Sequence, residues 1–170
     1  VLATFTAFLV VPKLVQFYEK RTILLTAIAL AALIPPIPIL LFVNGYLPAI
    51  GTWDLFFATI PFLYIANSSL SASSIIRESM LGDISDEVEL ETHLGQQGLM
   101  YASSSLIGKL NTGLGILMAG LALEFIGFPQ GSQITPSADH IFNLAMVQGP
   151  LVALLMIIPF AIFSMYKIDR

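Results

Sequence analysis

The sequence predicts an all-α, polytopic membrane protein, and three observations carry that prediction. Of the 170 residues, 56% are hydrophobic and only 11% are charged, whereas a soluble domain carries roughly 25% charged residues. The mean hydropathy is +0.87, so the chain has too few charges to cover a water-facing surface and must present much of its area to lipid. The apolar residues fall into long runs with no strict apolar–polar alternation. That pattern favours helices over closed barrels, the only other structure that satisfies its backbone inside a bilayer.

A bilayer core of about 30 Å takes about 20 apolar helical residues. Five runs approach that length: residues 1–18, 22–43, 53–76, 99–128 and 141–166. The first opens inside apolar sequence at Val1, and is expected to continue upstream in a longer protein. The connections at 19–21, 44–52 and 129–140 are short and polar, while that at 79–98 is longer and acidic. Pro35, Pro36 and Pro38 interrupt the second run, Pro61 the third, and Pro150 and Pro159 the fifth. Each removes a backbone donor and kinks its helix. Such kinks are either ordinary packing adjustments or places where helices bend in a working cycle.

The basic residues orient the chain. Lys13, Lys20 and Arg21 flank the first connection, Arg77 closes the third run, and Lys167 and Arg170 follow the fifth. All fall on one side if each run crosses once, and the connections at 44–52 and 129–140 hold no Lys or Arg. By the positive-inside rule the acidic loop 79–98 and the C terminus are cytoplasmic, in a cell (inner or cytoplasmic) membrane.

Several chemistries lose their support. With no cysteine there is no disulfide framework, thiolate metal site or cysteine nucleophile. A formal net charge of -4 without clustered Lys and Arg is no nucleic-acid footprint. His93 and His140 fall on opposite sides of the predicted membrane, so they cannot share a metal. The acids Asp83, Asp86, Glu87, Glu89 and Glu91 lack the central glycine of a calcium loop. No Ser–His–Asp arrangement or phosphate loop is present, so no enzyme and no cofactor is expected.

Lys109 is the most informative single residue. Ten positions from Leu99, it lies about 15 Å into its helix, near the bilayer midplane. A charged lysine there costs about 2.5–3.5 kcal/mol on insertion scales, so it needs a partner or a wet cavity. No acid in the chain lies at that depth, since Glu124 is about 22 Å further along the same helix and Glu78 sits at a helix end. Tyr101, Ser105, Lys109 and Thr112 follow steps of four, four and three, one stripe of a helix. Gly108, Gly113, Gly115 and Gly120 on the same run read as a close-packing surface. The third run has a stripe of its own, Asn67, Ser71, Ser74 and Glu78, which reads equally as helix–helix hydrogen bonding or as a cavity wall.

Around the acidic loop the sequence resembles the glycoside–pentoside–hexuronide:cation symporter family, the melibiose-carrier-like branch of the major facilitator superfamily. That family carries Asp-x-x-Asp-x-x-Glu, then Thr-Gly-x-Arg-x-Glu-Gly, then a Tyr and a Lys within one helix. Asp83, Asp86, Glu89, Thr92, Gly98, Tyr101 and Lys109 match it without gaps, and the helix ends in Ile126-Gly127-Phe128. The resemblance implies a C-terminal major facilitator bundle of about five helices, eight to twelve of twelve, with the N-terminal half missing from this chain. It implies alternating-access symport of a sugar, glycoside or related solute coupled to Na⁺ or H⁺. Lys109, Ser105, Tyr101, Ser74 and Asn67 would then form the substrate and cation-coupling wall. Asp83, Asp86, Glu89 and Arg77 would form the cytoplasmic gate. The partners implied are the lipid bilayer, the N-terminal half of the same protein and a small solute.

The match also has departures. Gly95 stands at the motif's Arg, Gln97 at its Glu and His93 at its first Gly. Ser74 stands where the melibiose-carrier branch has a sugar-stacking aromatic. The gating ion pairs must therefore differ, and a sugar ring would lose its platform. A lysolipid, amphiphile or drug carrier of the same fold is the alternative, and a non-transporting membrane subunit is another.

Overall fold

The structure, a computed structural model, describes residues 1–49, 51–128 and 138–165, without the side chains of residues 138, 139 and 150. Most of the connection 129–140 therefore lies outside the described residues, as do Tyr166, Lys167 and Arg170. All regular structure among the described residues is helical: α1 (Leu2–Leu14), α2 (Lys20–Leu33), α3 (Pro36–Val43), α4 (Trp53–Thr92), α5 (Gln97–Phe125), α6 (Ala138–Met146), a π-turn (Val147–Leu151), α7 (Val152–Leu155) and α8 (Ile157–Met165). Four stretches are long and apolar enough to cross a membrane: Lys20–Val43, Trp53–Thr92, Gln97–Phe125 and His140–Met165. The helix of the first run, Leu2–Leu14, has 13 residues, about 20 Å at 1.5 Å each.

The expected boundaries need one large correction. Most of the segment 79–98 is helix, because α4 continues unbroken to Thr92 and only residues 93–96 turn before α5. Charged residues mark where lipid-compatible sequence stops, but they do not stop a helix, and this stretch holds no proline. Gly82 alone costs about 1 kcal/mol relative to alanine and is tolerated. The real stop is at His93, a non-glycine residue with φ of 55°. Its N–H donates to the Glu89 carbonyl at 2.9 Å, the single bond of a left-handed C-terminal cap. The second run divides at Ile34–Pro35, and Pro36 begins α3 at a position where no N–H is needed. The fifth contains the π-turn around Gly149 and Pro150 and a break at Met156.

The chain separates into two compact units, one of Val1–Arg77 with Gln148–Arg170, the other of Glu78–Val147. In the first unit, Ile23, Leu24, Ala27, Ile28 and Ala31 form the buried stripe of α2, spaced to cover one helical face. α2 packs along α7 and α8, and the Arg21 guanidinium donates to the Ser164 carbonyl near the end of α8, where a cation also complements the helix dipole. Gly149 lets the π-turn approach α3, because a β carbon there would overlap Ile39 Cδ1 and meet Pro36 Cα at 3.6 Å.

α1 and α4 are joined by hydroxyls. Tyr64 donates to Thr6 Oγ1 at 2.9 Å, Ser71 donates to Thr4 Oγ1 at 3.2 Å, and Ser68 Oγ lies 3.5 Å from Thr6 Oγ1. Thr6 passes its own proton to the Ala3 carbonyl at 2.9 Å. These bonds adjoin a largely apolar cleft of 340 Å³ lined by α1, α2 and α4. At the start of α4, Thr52 donates to the Ala49 carbonyl at 2.8 Å and accepts the Leu55 N–H at 3.3 Å. It caps the helix and fixes the first turn, whose rings Trp53, Phe56 and Phe57 lie 5.7 to 6.3 Å apart.

Candidate transport site

In the second unit the end of α4 and the start of α5 form a hairpin closed by residues 93–96. Gln97 spans it, its Nε2 donating to Asp86 Oδ1 at 3.2 Å and to Glu89 Oε2 at 3.3 Å. The geometry explains one departure from the symporter motif. A glutamate at 97 would set a third carboxylate against two others, whereas the amide bridges them. A β carbon at Gly95 would lie 3.9 Å from Glu89 Oε1, so the position that carries arginine in the motif does face an acid here. Ser85, next to Asp86 in sequence, is 2% exposed. A little further on, Tyr101 places its hydroxyl 3.3 Å from where a β carbon of Gly82 would stand, so glycine permits this close passage of α4 and α5.

Lys109 is the thirteenth residue of the 29-residue α5, about 18 Å from its start. It is exposed and has neither a hydrogen bond nor an ion pair among the described residues. Ser105 and Tyr101, on the same helix stripe, are likewise exposed and without hydrogen bonds among the described residues. Thr112 completes the stripe and donates to the Gly108 carbonyl at 2.9 Å. α5 has no buried residue at all, and open space surrounds the β-carbon positions of Gly108, Gly113, Gly115 and Gly120. The expected close-packing surface thus has no helix on it among the described residues.

In the first unit, Asn67 and Ser74 lie exposed on α4. Asn67 Nδ2 donates to the Leu63 carbonyl at 2.8 Å, and Ser74 Oγ accepts from Arg77 Nη2 at 3.4 Å. The structure therefore gathers the predicted residues into separate groups: Asp86 and Glu89 on Gln97, Arg77 on Ser74, and Lys109 with Ser105 and Tyr101 along α5. Asp83 is exposed and has a partner. Sequence reading missed Thr4, Thr6 and Tyr64. The signal was there, since Tyr64, Ser68 and Ser71 repeat at four and three, and lone threonines in an apolar run call for partners on a neighbouring helix.

Long apolar helices, a mid-helix lysine and polar stripes within the spans define a multi-pass membrane protein. Residues 1–170 match the family model described as MFS/sugar transport protein, and the chain belongs to that family, within the secondary transporters of the major facilitator superfamily. No curated protein and no solved structure matches the chain.

Proposed function

We propose that this chain forms helices eight to twelve of a melibiose-carrier-like symporter, and that the whole protein moves a sugar, glycoside or related small solute with Na⁺ or H⁺. The observation that carries the reading is Lys109, a cation near the centre of an apolar helix with no partner among the described residues. Left charged in hydrocarbon, such a lysine is costly; set against a carboxylate and a cation site on the N-terminal half, it becomes a coupling group whose charge both ligands feel. Ser105 and Tyr101 continue its stripe toward the cytoplasmic side and line the path, with Asn67 and Ser74 as the wall from α4. Asp83, Asp86, Glu89 and Arg77 gate the cytoplasmic face, with the C terminus on the same side. Alternating access then follows from rocking of two six-helix bundles about a midplane site.

A second reading rests on Ser74. With a hydroxyl where the resembling branch has an aromatic, and with Arg77 its one hydrogen-bond partner among the described residues, the wall suits an amphiphile such as a lysolipid better than a sugar face. Uptake by the whole transporter in proteoliposomes, with sugars, glycosides and lysolipids offered under Na⁺ or H⁺ gradients, separates the two. Lys109→Ala is expected to abolish gradient-driven uptake while leaving the protein in the membrane. Undiminished coupled uptake by that variant would remove Lys109 from the mechanism.

A further inference from the structure

At its first turn α4 carries three large rings packed on one another, Trp53 with Phe56 at 5.8 Å edge-to-face and Phe56 with Phe57 at 5.7 Å. Among the described residues they stay 75%, 51% and 65% exposed. Asp54 sits within this first turn, from Leu55 to Ile76 the helix has no charged residue, and the next is Arg77. The 24 residue steps from Trp53 to Arg77 rise about 36 Å. That exceeds a hydrocarbon core of about 30 Å and falls short of the roughly 40–45 Å that includes both headgroup layers. Beyond Arg77 the composition inverts, with Glu78, Asp83, Asp86, Glu87, Glu89 and Glu91 among the last fifteen residues of the helix.

We propose that the Trp53–Phe56–Phe57 cluster is a bilayer-interface anchor. It seats in the headgroup–glycerol layer of phospholipids and, with Arg77 in the opposite layer, fixes the depth of α4, so that residues 78–92 continue as helix in water. The occupant follows from continuity: the rings end an apolar span that already faces lipid. An indole with an apolar body and one N–H donor is suited to a layer that is apolar on one side and wet on the other. The Thr52 cap holds the ring-bearing turn in helical register, so the rings are presented as one rigid patch.

Within residues 1–170 Trp53 is the single tryptophan and there is no cysteine; in the whole transporter any tryptophan or cysteine elsewhere is first replaced. In phosphatidylcholine vesicles, Trp53 emission is to be measured with bromines placed either near the glycerol or near the acyl-chain ends, and again with added melibiose. Shallow bromines are expected to quench about twofold more than deep ones, with no effect of sugar. Deep quenching equal to or above shallow, quenching by a water-soluble agent alone, or a sugar-dependent change would each overturn the assignment; the last would make the rings a solute platform. In permeabilised vesicles, Ser79→Cys is expected to react with a membrane-impermeant thiol reagent and Leu63→Cys to resist it. Equal labelling of the two would overturn the depth register.

Discussion

Replacing His93 by glycine is expected to stabilise the α4–α5 hairpin. His93 holds φ of 55°, a left-handed conformation that costs an L-residue roughly 1–2 kcal/mol, with histidine among the residues that tolerate it best. Its ring is exposed and makes no hydrogen bond among the described residues, so substitution sacrifices no side-chain contact. The cap bond from its N–H to Glu89 belongs to the backbone and survives. Against the relieved strain stands the greater freedom of glycine in the unfolded chain, about 0.4–1 kcal/mol. The net gain is about 0.5–1 kcal/mol, read as amide exchange across residues 89–97 slowed roughly two- to fivefold. Hydrogen exchange of the reconstituted chain measures it, with protection expected to order Gly above Asn, Asn above His, and His above Val. If glycine, histidine and valine exchange alike, residue 93 is not left-handed and the cap described for α4 is wrong. The result bears on the symporter motif as well, because its first glycine falls at this backbone position.

Three further outcomes are expected. Tyr64→Phe and Thr6→Ala should show a coupling of about 0.6 kcal/mol in a double-mutant cycle of unfolding in bicelles, the usual worth of an interhelical hydrogen bond in a membrane; a coupling of zero would deny the bond. Gln97→Glu should loosen the hairpin, as faster exchange at residues 86–97, because a third carboxylate replaces the bridging amide. Adding Gly95→Arg to Gln97→Glu should recover protection, since position 95 faces Glu89; failure to recover would mean that the acids and residue 95 do not meet.

The helical class was legible because it depends on long apolar runs, and those survive any detail of packing. Boundaries were less so. The end of α4 was read from charge at Ile76 to Ser79, although the backbone signal sat at Thr92–His93, where one residue must turn left-handed. The division of the second run was legible in Pro35 and Pro36, whereas the π-turn at Val147–Leu151 depends on Gly149 fitting against Ile39, a contact between residues 110 apart in sequence. In the site, the stripe through Lys109 could be read because helix periodicity is local. That Gln97 spans Asp86 and Glu89 could not, because it follows from how tightly the hairpin turns.

The hydroxyls and the amide of α4 have a consequence in hydrogen-bond polarity. Thr59, Asn67, Ser69 and Ser73 each donate to carbonyls of their own helix, at 2.8 to 2.9 Å. A hydroxyl whose proton is so engaged keeps its oxygen lone pairs for anything outside. What Thr59, Ser69 and Ser73 leave open is one-sided: they accept hydrogen bonds and positive charge more readily than they donate, whereas Ser71 spends its proton on Thr4 of α1. A molecule that brings its own donors finds acceptors at these hydroxyls, and an anion does not.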